Sequence, residues 1–255
     1  MIELKPIKSN FKKLDDLTGG FFPGEVTVIG ARPAVGKTAF LDSLIKQITL
    51  DSGTPGLLFS LEMSIEVFYM RMVSSMAKIP YMKFRNKTLD ENEENCWEKI
   101  TKLIKDLPLE INDKPDININ ELCDEARKIY NKANVKIIYI DYLGLITTDD
   151  ESQPVYEKVS FIIKKLKVLA REINIPIVLL CQVARDVGGN PPELSHLRGS
   201  GEVESVADVI FLLHRDRKIN EGRSSQLFIA KNHNGPLGAV DFAFYPEFAT
   251  FEETD

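Results

Sequence analysis

This chain of 255 residues is poor in the features that would tie it to a disulfide scaffold, a metal cluster or a membrane. It has 3 cysteines and 3 histidines. Cys96, Cys123 and Cys181 are odd in number and far apart. They form neither a disulfide framework nor a metal motif, so a reducing, cytoplasmic compartment is the expectation. No run of about 20 apolar residues exists to cross a bilayer, and no signal-peptide pattern opens the chain. Positive charge is not in excess: 32 Lys and Arg stand against 38 Asp and Glu, a net charge of −6. That argues against broad, non-specific coating of nucleic acid. It leaves room for a local loop of a few Arg, Lys and backbone N–H groups. Internal repeats and low-complexity stretches are also missing. What remains is ordinary globular material, 44% hydrophobic and 27% charged, and long enough for one large α/β domain.

Within that material one segment carries chemistry. The apolar run from Val26 to Ile29 leads into Gly30-Ala31-Arg32-Pro33-Ala34-Val35-Gly36-Lys37-Thr38-Ala39, and a helical pattern starts at once. Strand, tight loop, Gly-Lys-Thr and helix form the layout of a phosphate-binding loop. Backbone N–H groups at a helix N-terminus have no intrahelical partner, and the helix dipole favours an anion there. Residues Arg32 to Ala39 are therefore expected to hold a nucleoside triphosphate. Lys37 reaches the β- and γ-phosphates, and the Thr38 hydroxyl holds Mg²⁺. One position is irregular. The first glycine of such a loop should be residue 31, which is Ala31, and Gly30 comes one place early. Alanine tolerates less backbone freedom than glycine, so the loop entry must keep φ below zero.

Ahead of the loop, residues 1–22 form a lead-in anchored by Leu14 and Leu17, and residues 23–255 form the main domain. Strand signals fall at Val26–Ile29, Leu57–Ser60, Lys136–Ile140, Ile177–Leu180 and Val209–Leu213. Helix signals fall at Lys37–Thr49, Ile65–Ala77, Asn92–Asp106, Glu121–Lys132 and Glu157–Ile173. The apolar runs at 137–140 and 177–180 do not alternate with polar residues, which suits parallel strands covered on both faces. The order predicts a doubly wound α/β fold with a mostly parallel sheet, and ligands in such sheets sit beyond the C-terminal strand ends.

Polar residues stand at those ends. Asp141 follows an apolar strand as a Walker-B aspartate does, and is expected to help hold Mg²⁺; its bland alternative is a turn cap. Glu62, just past Ser60, is the natural general base for water attacking the γ-phosphate; otherwise it is a surface residue opening a helix. Gln182 can sense the γ-phosphate through its amide, or merely close a strand end. Arg198, Gly199 and Gly201 follow a Gly/Pro-rich loop and suit close approach of backbone N–H groups to a phosphate; a flexible connection would look the same. Residues 226–231 and 239–244 read as a C-terminal β-hairpin, with Lys231 and His233 near its tip.

Together these pieces resemble the C-terminal ATPase domain of DnaB-type replicative DNA helicases. The matching stretches include Leu17-Thr-Gly-Gly, the phosphate loop, Ser60-Leu-Glu-Met-Ser, Ile140-Asp-Tyr-Leu, Gln182-Val-Ala-Arg, Leu197-Arg-Gly-Ser-Gly and Lys231-Asn-His-Asn-Gly-Pro, in family order. Alanine at position 31 is common in that family. The resemblance implies a RecA-like P-loop NTPase fold and an ATP- and Mg²⁺-dependent motor that translocates on single-stranded DNA and unwinds duplex. It also implies a homo-oligomeric ring, usually a hexamer, with ATP between neighbours, and primase and a helicase loader as partners. By carry-over, Lys37 and Thr38 bind phosphate and Mg²⁺, Glu62 is the catalytic base, Asp141 the Walker-B acid and Gln182 the sensor. Arg198, Gly199 and Gly201 contact the DNA backbone, while Lys231 and position 233 act on the neighbour's ATP.

Three departures stand out. The family's hairpin carries Lys-x-Arg, with the arginine as a finger, and here that residue is His233, shorter and mostly neutral near pH 7. Arg215 and Arg217 are other candidates for that role. Only about 10 residues precede the core, so the family's primase-binding domain and linker helix are expected to be missing from this sequence, whether by a cut or in a natural minimal form. The segment Thr147–Pro154 is acidic where the family often has a basic DNA-facing loop. Two other classes stay open: a RecA-like recombination or repair ATPase, and a nucleotide-switched binding module with little turnover.

Overall fold

A computed structural model describes residues 5–150, 152–183, 190–197, 199–216 and 222–254. One sheet organises them. Its strands are β1 Val26–Ala31, β2 Gly56–Ser60, β3 Leu109–Asn112, β4 Ile137–Asp141, β5 Ile177–Gln182, β6 Val209–Arg215, β7 Ser224–Asn232, β8 Gly238–Tyr245 and β9 Thr250–Glu253. The spatial order is β3-β2-β4-β5-β1-β6-β7-β8-β9. The first six strands in that order run parallel, and β7 to β9 extend the sheet antiparallel. All five sequence-predicted parallel strands and the hairpin are present. So are helices on both faces, as the doubly wound reading requires.

Strand alternation splits the core in two. Ile29, Ala31, Tyr139, Val178, Leu180, Phe211 and Leu213 face one layer. Val26, Val28, Ile138, Ile140, Ile177, Leu179, Ile210 and Leu212 face the other. Successive side chains on a strand point to opposite faces, so an unbroken apolar run feeds both layers at once. On the first face lie α1 Lys12–Thr18, α2 Lys37–Ile45, α3 Ile65–Ala77, α4 Tyr81–Asn86 and α5 Glu91–Lys105. On the second lie α6 Ile119–Ala133, α7 Val155–Ile173 and α8 Ser200–Val206.

α2 is buried almost all round, because β7 to β9 close over it. Phe40 at its centre meets Phe242 and Phe251 edge-on at 5.2 and 5.5 Å between centroids. Phe11, just before α1, stacks on Phe40 at 6.2 Å, so the lead-in belongs to this core. Leu14 is buried as expected, and Leu17 is partly buried beside it. α2 ends earlier than its sequence pattern predicts: residues Lys46–Asp51 continue it as a wider π-helical turn. Among the described residues no helix is long and apolar enough to cross a membrane.

Candidate nucleotide site

β1 ends at Ala31, and α2 begins at Lys37. The backbone turns left-handed at Ala34, φ 61°, and at Gly36, φ 111°. Ala31 is not one of the positive-φ residues; it is strand, in register with Gln182 on one side and Leu213 on the other. The loop entry therefore keeps φ below zero, as the alanine demands. Gly30 serves packing. A Cβ there would lie 2.5 Å from Cδ2 of Leu197 and 2.9 Å from Cδ2 of Leu212.

The loop opens on a cleft of about 380 Å³ lined by Arg32, Pro33, Ala34, Gly36, Lys37, Thr38 and Ala39. The Val35 side chain turns the other way, into the core. Glu62 and Gln182 join the lining from the ends of β2 and β5. Ser60 and Asp141 sit opposite each other in register, and the Leu61 N–H donates to the Asp141 carbonyl at 2.8 Å. Ser60 Oγ donates to the Met63 carbonyl at 2.7 Å, which fixes the turn that presents Glu62 to solvent.

Lys37 and Asp141 are the energetic centre. Their side chains are buried, yet among the described residues neither the Lys37 ammonium nor either Asp141 oxygen has a hydrogen-bond partner. Burial lowers the lysine's pKa against the opposing pull of Asp141 and Glu62. Burial raises Asp141 to about 6; the Lys37 charge opposes the rise, and Glu62 and Asp42 add to it. Leaving such groups buried without partners costs several kcal/mol. A phosphate at the ammonium and a hard cation at the carboxylate would satisfy both. One carboxylate, one hydroxyl and phosphate oxygens suit Mg²⁺, which is held by few protein groups. Among the described residues no cluster of three or more His, Cys, Asp or Glu is gathered as a self-contained metal cage.

Sequence reasoning missed Arg71. It projects from α3 into the cleft, and its Nε donates to Asp42 at 2.6 Å. Asp42 is buried on α2, and Arg71 Nη2 is buried with no partner among the described residues. The available signal was spacing: Arg71 lies three residues after Phe68 and four before Ser75, on the helix's buried face. Tyr81, Phe244, Pro246 and Ala249 complete the wall, and nothing in their local sequence marks them.

The remaining candidates lie elsewhere. Arg215 is tied to its own loop: Nη2 donates to the Ala34 carbonyl at 2.9 Å, and the guanidinium stacks 4.7 Å from the Phe244 centroid. Lys231 and His233 sit at the opposite edge of the sheet. Lys231 pairs with Ile210 at the start of β6, whereas the phosphate loop leaves β1 beside Leu213 at the far end. The Lys231 ammonium donates to the Glu204 and Ala207 carbonyls at 2.5 and 2.6 Å, closing the C-terminus of α8. The His233 N–H donates to the Asp208 carbonyl at 3.0 Å. Neither residue reaches its own cleft.

Val183 and Leu197 form an antiparallel bridge, which sets Leu197 beside the end of β5. Gly199 caps α8 at φ 69° and Gly201 is exposed. Arg198 and Arg217 lie outside the described residues. The acidic segment after Thr147 is fastened: Asp149 accepts from the Asn118 and Asn120 amides at 2.9 and 3.0 Å, at the start of α6.

The profile described as "DnaB-like helicase C terminal domain" matches residues 6–253. The "Replicative DNA helicase DnaB" of Treponema pallidum is 39% identical over 249 residues, covering 98% of this chain and 56% of that protein. The protein of the same name from Geobacillus stearothermophilus is 32% identical, covering 98% and 57%. The chain thus spans just over half the length of the curated relatives it matches. Among solved structures, one described as an ATPase domain superposes with a TM-score of 0.91 at 28% identity, over 99% of this chain and 93% of that one. A DnaB-like replicative helicase, solved for its interactions with primase, gives the same score and identity over 63% of its chain. The RecA-like expectation for the fold holds, and the chain belongs to the DnaB-like helicase C-terminal domain family.

Proposed function

We propose that this domain is the motor of a replicative DNA helicase: it hydrolyses ATP, translocates on single-stranded DNA and unwinds duplex. The observation that carries this reading is Lys37 and Asp141, buried without hydrogen-bond partners among the described residues, at one end of a parallel sheet beside a helix N-terminus. Such a pair matches a triphosphate with its Mg²⁺ and little else. Arg32 to Ala39 cradle the phosphates through backbone N–H groups, and Lys37 neutralises the β- and γ-oxygens. Thr38 and Asp141 would hold Mg²⁺, which when bound would supply positive charge against the phosphates. Glu62, exposed above the cleft, takes the proton from the attacking water. Gln182 reads the γ-phosphate. Val183, next to it, pairs with Leu197, so a shift at Gln182 passes to the segment carrying Arg198, Gly199 and Gly201, which holds the DNA backbone.

In this reading residues 23–255 are the motor and residues 1–22 a lead-in, of which Phe11, Leu14 and Phe21 pack into its core. Lys231 and His233, too far from their own cleft, serve the cleft of a neighbouring copy in a homo-oligomeric ring, a hexamer. Primase and a helicase loader are partners of the full assembly. A nucleotide-switched module with slow turnover is the second reading, supported by His233, which lacks a fixed charge where a finger is needed. The test is ATPase activity with and without single-stranded DNA, alongside strand separation. DNA-stimulated turnover lost in Lys37→Ala is expected. An assembled ring whose ATPase ignores DNA would overturn the motor reading.

A further inference from the structure

We propose that Tyr142 is a positioning residue of the nucleotide site: its ring is a partition that keeps the Lys37 ammonium from pairing with the Asp141 carboxylate. This rests on the reading of Lys37 as the phosphate ligand and Asp141 as the cation ligand. Lys37 Nζ lies 4.1 Å from the centroid of the Tyr142 ring. A desolvated ammonium over an aromatic face is attracted to the ring's negative quadrupole, so this contact holds the lysine in place. Among the described residues, no ion pair joins Lys37 to Asp141, although each feels the other's charge. Two opposite charges buried side by side would ordinarily close on each other, because Coulomb attraction grows as water is excluded. Once closed, the pair would have to be broken before a phosphate could take the lysine or a cation the carboxylate. Leaving a ring face is less demanding than breaking a buried ion pair.

The ring is held in this position by its own loop. A Cβ at Gly144 would lie 2.7 Å from Cε2 of Tyr142, so the glycine is what lets the ring fold back along the turn at Leu143–Leu145. The Leu145 N–H donates to the Tyr142 carbonyl at 3.1 Å and closes that turn. Tyr142 borders a separate cavity of about 290 Å³. That space lets the ring move aside when Lys37 swings to a phosphate. Gln182 borders both spaces, so the departure of the lysine is felt at the proposed sensor as well.

The experiment is ADP binding by calorimetry in EDTA, which removes Mg²⁺ and turnover from the readout. Tyr142→Phe keeps the ring face and should bind ADP within about two-fold of the unmodified protein. Tyr142→Leu should bind about ten-fold more weakly, because Lys37 falls onto Asp141. The double variant Tyr142→Leu with Asp141→Asn removes the competing charge and should recover most of that loss, which a merely structural role would not do. If Tyr142→Leu fails to fold, Tyr142→Met offers similar volume without a ring and carries the same expectations. Unchanged ADP affinity in the ring-deleted variant, or no recovery in the double variant, overturns the partition. Failure of the unmodified protein to bind ADP at all would instead overturn the underlying reading of Lys37.

Discussion

The glycine before the phosphate loop gives a sharp test, because sequence and structure assign it different work. Counting motif positions makes Gly30 a misplaced loop glycine; the structure makes it a packing site within β1. Gly30→Ala adds one methyl group at a point 2.5 Å from Leu197, 2.9 Å from Leu212 and 3.3 Å from Val183. The atoms it meets are side-chain ends, which usually yield easily. Here all three residues are at most 3% exposed, so a side-chain rotation alone gives little relief. Overpacking of this kind costs about 1–3 kcal/mol, with relief sought by the least anchored neighbour. That neighbour is Leu197, held to the sheet by a single bridge to Val183, so the methyl group should lever the proposed DNA segment outward. The expected result is a melting temperature lower by about 2–12 °C, at roughly 2–4 °C per kcal/mol for a domain of this size. ADP affinity should change little, since Ala31 and the loop beyond keep their geometry, while stimulation of ATPase by single-stranded DNA falls. A Gly30→Ala protein that melts with the parent, or that loses ADP binding while remaining stable, would refute the packing assignment.

Three other perturbations have definite signs. Asp141 is raised from 3.8 to about 6 in the fold, so between these values the native state retains a proton that the unfolded chain has lost. Stability of the nucleotide-free protein should therefore fall as pH rises from about 4 to 6, by an amount on the order of 3 kcal/mol, and denaturant titrations of Asp141→Asn should lack that component. Arg71→Ala strands Asp42, a buried carboxylate, and should cost about 3–5 kcal/mol in urea unfolding; Asp42→Leu added to it should recover most of this, and no recovery would mean that Arg71 matters for another reason. His233→Arg restores a fixed charge at the hairpin tip; in assembled protein the ATPase rate should rise at least about ten-fold if the neighbour's cleft awaits a finger. An unchanged rate would remove residue 233 from that role.

Much of the fold was legible because the central strands are buried on both faces. Runs such as Ile137–Ile140 have one interpretation once helices flank them, and the polar residue that ends each run marks the ligand edge. The edge elements were illegible for the same reason in reverse. β3 is only half-buried along Leu109–Asn112, so no apolar run announces it. β9 earns its place through Phe251, which stacks on Phe244 at 4.5 Å, a contact between residues brought together only by the completed sheet. The site divides along similar lines. Lys37, Thr38, Glu62, Asp141 and Gln182 follow apolar strands and could be read from local pattern. Arg71 comes from a helix that looks like ordinary core-facing material, and the wall at Phe244 to Ala249 comes from the antiparallel extension. The acidic run at 149–150 looked like a deficit of positive charge; Asp149 turns out to be a fastener for the start of α6.

The placement of the hairpin has one further consequence. The cleft opens at one end of the parallel strands and the tip carrying Lys231 and His233 lies at the other, so the molecule has a socket and a plug that point in different directions. A two-fold dimer can seat each plug in the other's socket only side by side and antiparallel, with both features inside one shared patch. A head-to-tail assembly, in which each tip would serve the next copy's cleft, has one unfilled socket and one idle plug until it closes on itself. Closure, rather than mere association, is then the step that makes all the clefts equivalent.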